Sequence, residues 1–120
     1  MRNQGFTLIE LLIVIAIIGI LAAALIPNLI GARNRGFEAA VQSCVKAIST
    51  AQESYFIENN TYASALSQLD QGMVRPCDTT RMSVVGFAGN STGYSAQVQH
   101  NGGGSGFRVT QDGVQRVNRQ

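Results

Sequence analysis

Gly5-Phe-Thr-Leu-Ile-Glu10, continued by the unbroken apolar run from Leu11 to Ile26, is the stretch on which the fold turns. The run has sixteen residues and no polar side chain. From Phe6 to Ile26 there are 21 residues, about 31 Å as a helix, which matches the roughly 30 Å hydrocarbon core of a bilayer. Met1-Arg-Asn-Gln-Gly5 ahead of it is short, polar and positively charged. Arg2 favours a cytoplasmic start, which places everything after Pro27 outside. A secretory signal peptide is the competing reading, with Ala22-Ala-Ala24 as its cleavage site. The segment is long for a signal core, and Glu10 near its start is out of character for one.

Glu10 needs a reason, because a carboxylate at the edge of a membrane segment is costly and marks function or a partner. If the chain is cut after Gly5, Phe6 gains an α-amino group one helical turn from Glu10. In a set of parallel helices the amino group of one copy can neutralise Glu10 of the next. The alternative is a carboxylate at headgroup level, bound to water.

The leader, Gly5-Phe-Thr-Leu-Ile-Glu10 and the apolar run together resemble the class III leader and N-terminal helix of type IV prepilins, over at least Met1 to Arg35. The resemblance implies that a membrane prepilin peptidase cuts between Gly5 and Phe6 and N-methylates Phe6, and that Glu10 sets registration against a neighbour's N-terminus. Gly19 and Pro27 fall where such proteins carry helix-weakening residues, in keeping with the low helix propensity of glycine and the missing donor of proline. It also implies an α+β fold, with a long N-terminal helical spine packed on a small antiparallel sheet of three or four strands. Many major pilins close a C-terminal loop with two late cysteines; this chain has none after Cys77.

Beyond the apolar run, about 90 residues allow one small core. Phe37, Val41, Cys44, Ile48, Ala51 and Tyr55 recur at helical spacing on one face. Arg35, Glu38, Gln42, Lys46, Ser49 and Glu53 occupy much of the remaining surface of that helix. The expected organisation is a leader over 1–5, a membrane or filament-core helix over 6–27, an amphipathic helix over 28–60, a connecting loop over 61–80 and an antiparallel sheet over 81–120. Within the connector, Ala63 to Leu69 accommodates one helical turn with Leu66 and Leu69 inward. Strand patterns cover Met82–Phe87, Tyr94–His100, Phe107–Thr110 and Val114–Val117, separated by turn residues. Cys44 and Cys77 in an exported chain favour a disulfide; two reduced buried thiols are the alternative.

Little else in the chain carries chemistry. His100 is the only histidine and lacks a nucleophile or metal partner, so neither a catalytic residue nor a metal or cofactor is expected. Gly102-Gly-Gly-Ser-Gly106 sits between two strand patterns with no helix N-terminus or lysine, which reads as a flexible hairpin loop rather than a phosphate cradle. Asn59-Asn-Thr61 and Asn90-Ser-Thr92 fit the N-glycosylation acceptor pattern, and by resemblance serines and threonines also carry sugars. Charged residues are 13% of the chain and the net charge is +2, which argues against a broad nucleic-acid footprint. Arg75, Arg81, Arg108, Arg116 and Arg119 form at most a strip for weak contact with DNA or an anionic surface, or pair with acidic groups of neighbouring subunits.

The reading that follows from the resemblance is a structural subunit of a type IV pilus, supporting twitching motility, adhesion or DNA uptake. Its partners are other copies of itself, the prepilin peptidase, the inner-membrane assembly machinery and, before assembly, the membrane. A type II secretion pseudopilin and a low-abundance minor pilin for competence are the alternatives. Major pseudopilins often hold calcium in the C-terminal loop, where this chain offers Asp112 without a carboxylate cluster.

Overall fold

The computed structural model describes residues 4–118. The elements in order are α1 (Leu8–Asn59), a 3-10 turn (Leu66–Gln68), β1 (Met82–Gly89), β2 (Tyr94–His100), β3 (Gly106–Thr110) and β4 (Gly113–Val117). The chain divides into two compact units, one up to Arg33 and one from Asn34 onward.

The first unit is the apolar half of α1. Its isoleucines and valines are only moderate helix formers in water. In a bilayer a single spanning segment satisfies its own backbone only as a helix, so the surroundings rather than propensity favour one here. Helix α1 runs through both Gly19 and Pro27. Pro27 has no N–H, so the carbonyl of Ala23 four residues earlier lacks its usual helical donor.

The second unit holds the core. Val41, Cys44, Val45, Ile48, Ala51 and Gln52 are the buried residues of α1, at three- and four-residue spacings that put them on one face. The helix stops at Asn59, and Asn60 takes the left-handed conformation with φ 56° while its N–H donates to the Phe56 carbonyl at 2.8 Å. Asparagine tolerates that conformation better than most residues, which makes it a helix-ending signal.

The sheet is an antiparallel meander in the order β1-β2-β3-β4. Period-two alternation sends Tyr94, Ala96 and Val98 of β2 inward, and the register pairs Ala96 with Val109 and Val98 with Phe107. These side chains join Val41, Cys44 and Ile48 in a single cluster. Strand β1 extends past the Met82–Phe87 pattern to Gly89. The register shifts between Val85 and Ala88, where Gly86 takes φ 62°, and this bulge re-phases the alternation. Strand β4 is nearly all exposed.

Among the contacts that hold the connector to the helix and sheet, three matter most here. The first is a disulfide between Cys44 and Cys77, with S–S 2.01 Å and Cα–Cα 4.6 Å. The second is Gln52, fully buried although polar. Its Nε2 donates to the Ala63 carbonyl at 3.0 Å, and the Ala63 N–H donates to its Oε1 at 2.8 Å. The third is Gly89, where a Cβ would lie 2.0 Å from the Ala63 carbonyl oxygen; only glycine allows that approach.

Candidate functional site

The functional region grows out of how α1 begins. Thr7 precedes the helix, and the Glu10 N–H donates to its Oγ1 at 3.3 Å. In return the Thr7 N–H donates to Glu10 Oε2 at 2.8 Å. This reciprocal pair is a capping box, satisfying two backbone donors that a helix start otherwise leaves without partners. The carboxylate also sits at the positive end of the helix dipole. Glu10 thus has a local role besides any role toward a neighbour. Thr-x-x-Glu is itself the written signal for a capping box, so the role of Thr7 is legible in the sequence.

Among the described residues, the apolar surface that follows is exposed. Phe6 is 93% exposed, and every large apolar residue from Leu8 to Ile30 is at least 50% exposed. Soluble monomers rarely leave so large an apolar area open. Lipid tails or other apolar helices are the two covers that suit it, and α1 is long and apolar enough to cross a membrane. Gly5 and Phe6 are exposed, and nothing lies within 4 Å of where a Gly5 Cβ would be, so the Gly5–Phe6 bond is open to an enzyme. Arg2 lies outside the described residues.

Among the described residues no three His, Cys, Asp or Glu groups stand together as metal ligands. Asp112 is exposed in the β3–β4 turn. His100 stacks on Phe37 with centroids 4.0 Å apart, and its Nδ1 accepts from the Gly102 N–H at 2.9 Å. Burial, helped by Glu53, pushes the Tyr62 and Tyr94 hydroxyls above their ordinary 10.0.

Glu38 is more than solvated surface. Its Oε1 accepts from the Ser105 N–H at 3.1 Å, and its other oxygen pairs with Arg116. Those contacts, the Ser105 N–H first, hold its carboxyl below the usual 4.5 against some desolvation. The glycine-rich loop joins β2 to β3 as a hairpin, and Ser105 bonds it to α1. Gly103 and Gly104 take φ of 130° and 82°, and a Cβ on Gly104 would sit 3.2 Å from the Asn34 carbonyl.

Two of the five arginines are paired within the globular unit. Arg116 is engaged by Glu38, and Arg81 lies 3.6 Å from Asp78. Thr80, through its hydroxyl and then its N–H, keeps the Asp78 carboxyl below its ordinary range, with Arg81 adding to it. Arg108 donates to Gln97 at 3.4 Å, and Arg119 lies outside the described residues. At least two of the five thus meet carboxylates of their own chain.

An apolar helix capped by threonine and glutamate, joined in sequence to a disulfide-stapled helix-and-sheet unit, defines a protein whose helix needs a cover of lipid or of other helices. Comparison with known proteins gives the family. Residues 1–26 match the prokaryotic N-terminal methylation motif. The chain is 45% identical, over 98% of its length and 91% of the relative's, to the type IV wide pilus major component PilA4 of Thermus thermophilus. It is 48% identical over 57% of its length to the type IV major pilin protein PilA of Myxococcus xanthus, a match spanning 31% of that protein. It is also 36% identical over 62% of its length to type II secretion system core protein G of Aeromonas hydrophila, spanning 52% of that protein. The chain belongs to the type IV pilin family.

Proposed function

We propose that this chain is the repeating structural subunit of a type IV pilus and has no enzymatic activity. The observation that carries the reading is the N-terminal helix, apolar on every side and uncovered by its own chain. The same surface that meets lipid before assembly meets neighbouring α1 helices afterwards, so storage in the inner membrane and polymerisation at the cell surface need only one design. Removal of residues 1–5 by a prepilin peptidase frees the Phe6 amine, which is then methylated. Glu10 loses its donor partner at Thr7 wherever the neighbour's amine competes better. A charge-assisted contact of that kind is worth about 1.5–3 kcal/mol, enough to set register along a stack of helices. Gly19 and Pro27 mark where α1 gives way most cheaply during packing. Twitching motility, adhesion and DNA uptake are the uses such a filament serves, driven by the inner-membrane assembly machinery.

The resemblance to core protein G supports a second reading, a pseudopilin confined to the envelope. The match to the wide pilus component spans 98% of the chain against 62% for core protein G, which favours the pilus. The deciding experiment is the intact mass of this protein in filaments sheared from cells. A dominant species lacking residues 1–5, singly methylated and disulfide-bonded, is expected. Processed protein that stays in the envelope favours the pseudopilin or minor pilin, and an uncut Met1 overturns the filament reading.

A further inference from the structure

Two Asn-x-Thr stretches occur in the chain, Asn59-Asn-Thr61 and Asn90-Ser-Thr92, and the structure treats them very differently. Asn59 is the last residue of α1, and its side-chain nitrogen, the atom that would have to react, donates to the Tyr55 carbonyl at 3.0 Å. Asn90, Ser91 and Thr92 are all exposed at the tip of the β1–β2 hairpin. The Asn90 Oδ1 accepts from the Thr92 N–H at 2.8 Å, the Thr92 hydroxyl at 2.7 Å and the Gly93 N–H at 3.0 Å. Backbone N–H groups only donate, so the oxygen is fixed inward and Nδ2 points away. Within the described residues Nδ2 makes no hydrogen bond.

We infer that Asn90 is an acceptor for an N-linked saccharide. Three donors converging on one carboxamide oxygen stabilise the charge that develops there as the nitrogen gives up a proton. In the step, Asn90 Nδ2 bonds to the anomeric carbon of a glycosyl unit carried on a diphosphate donor of the envelope. The bond from that carbon to the diphosphate oxygen breaks, its electron pair leaves with the diphosphate, and one Nδ2 proton passes to a base of the transferring enzyme. Thr92 supplies two of the three donors, and its hydroxyl is the one that depends on the side chain at the third position of the stretch. Asn59 has neither a free nitrogen nor a hydroxyl on its oxygen.

The inference rests on export of the globular unit but not on polymerisation, so protein extracted from the envelope is weighed beside sheared filaments from the native cells. The wild-type chain is expected to carry a discrete saccharide increment above the disulfide-bonded polypeptide. The increment persists in Asn59→Gln and Thr92→Ser and is lost completely in Asn90→Asp and Thr92→Ala. Asn90→Asp keeps an oxygen facing Thr92 and Gly93, so its loss of the increment does not come from a broken hairpin. An unmodified wild-type mass, or an increment that survives Asn90→Asp, overturns the assignment. An uncut leader or absence from the sheared fraction bears on the filament reading alone.

Discussion

From Leu8 to Ile30 every large apolar side chain of α1 keeps at least half of its surface exposed, whereas Val41, Cys44 and Ile48 of the same helix keep none. The chemistry of the side chains hardly differs; what differs is who supplies the cover. The later segment is covered by its own sheet and connector, through a face only a few residues wide. The earlier one is apolar all round, so no single small sheet could cover it. A helix that must be covered on every side is built for surroundings that are the same on every side, which lipid and a bundle of identical helices both provide. The contrast predicts that a change at the start of α1 leaves the stability of the globular unit unaltered.

The sharpest way to break that contrast is Glu10→Gln. It is expected to lower the yield of sheared filaments by about tenfold or more, the consequence of losing a charge-assisted contact. The melting temperature of the globular unit in detergent micelles should stay unchanged; a drop would mean the two regions are coupled. Next comes Gln52→Ala, which strands both backbone groups of Ala63 and leaves a cavity. A loss of about 4 kcal/mol in denaturant unfolding is expected, and a loss near zero would mean that water replaces the amide. Cys44→Ser together with Cys77→Ser opens a loop of 33 residues and should cost about 3–4 kcal/mol by the same measurement.

The smallest effect is electrostatic. The Glu38 carboxyl is held below its ordinary 4.5, so its contribution is fully present above that pH and disappears as the pH falls through the lower folded-state value. Thermal unfolding between about pH 6 and pH 3 should therefore decline more steeply in the wild type than in Glu38→Gln. Asp78 is depressed as well and keeps some slope in both proteins. Equal slopes would show that Glu38 is merely exposed charge.

Much of this arrangement is written locally. The spacing of Val41, Cys44, Ile48 and Ala51 gives the buried face of α1, and Asn59-Asn60 gives its end. The alternation of Tyr94, Ala96 and Val98 gives the inner face of β2. The roles that the sequence alone does not show belong to residues whose partners lie far along the chain. Glu38 reads as solvated because nothing near it shows Ser105 and Arg116, 67 and 78 residues away. Gln52 falls on the core stripe, yet its polarity argues against burial until the backbone of Ala63 is placed beside it. Val45 is buried too and belongs to the same stripe, one residue beyond Cys44. The bulge at Gly86 is a matter of strand pairing, which periodicity alone does not fix. At the N-terminus the reverse holds: the leader motif is legible as a resemblance, while the Thr7–Glu10 cap needed only its four-residue pattern.

The Cys44–Cys77 bond has a mechanical consequence. A filament subunit is pulled along its chain whenever the fibre is under tension, and a covalent bridge shortens the path that tension can follow. Force entering at α1 passes from Cys44 directly to Cys77, so the intervening backbone is not drawn out. At full extension those 33 steps would otherwise lengthen the subunit by about 110 Å. The staple therefore makes the protein less extensible as well as more stable, and reduced filaments should stretch further before they break.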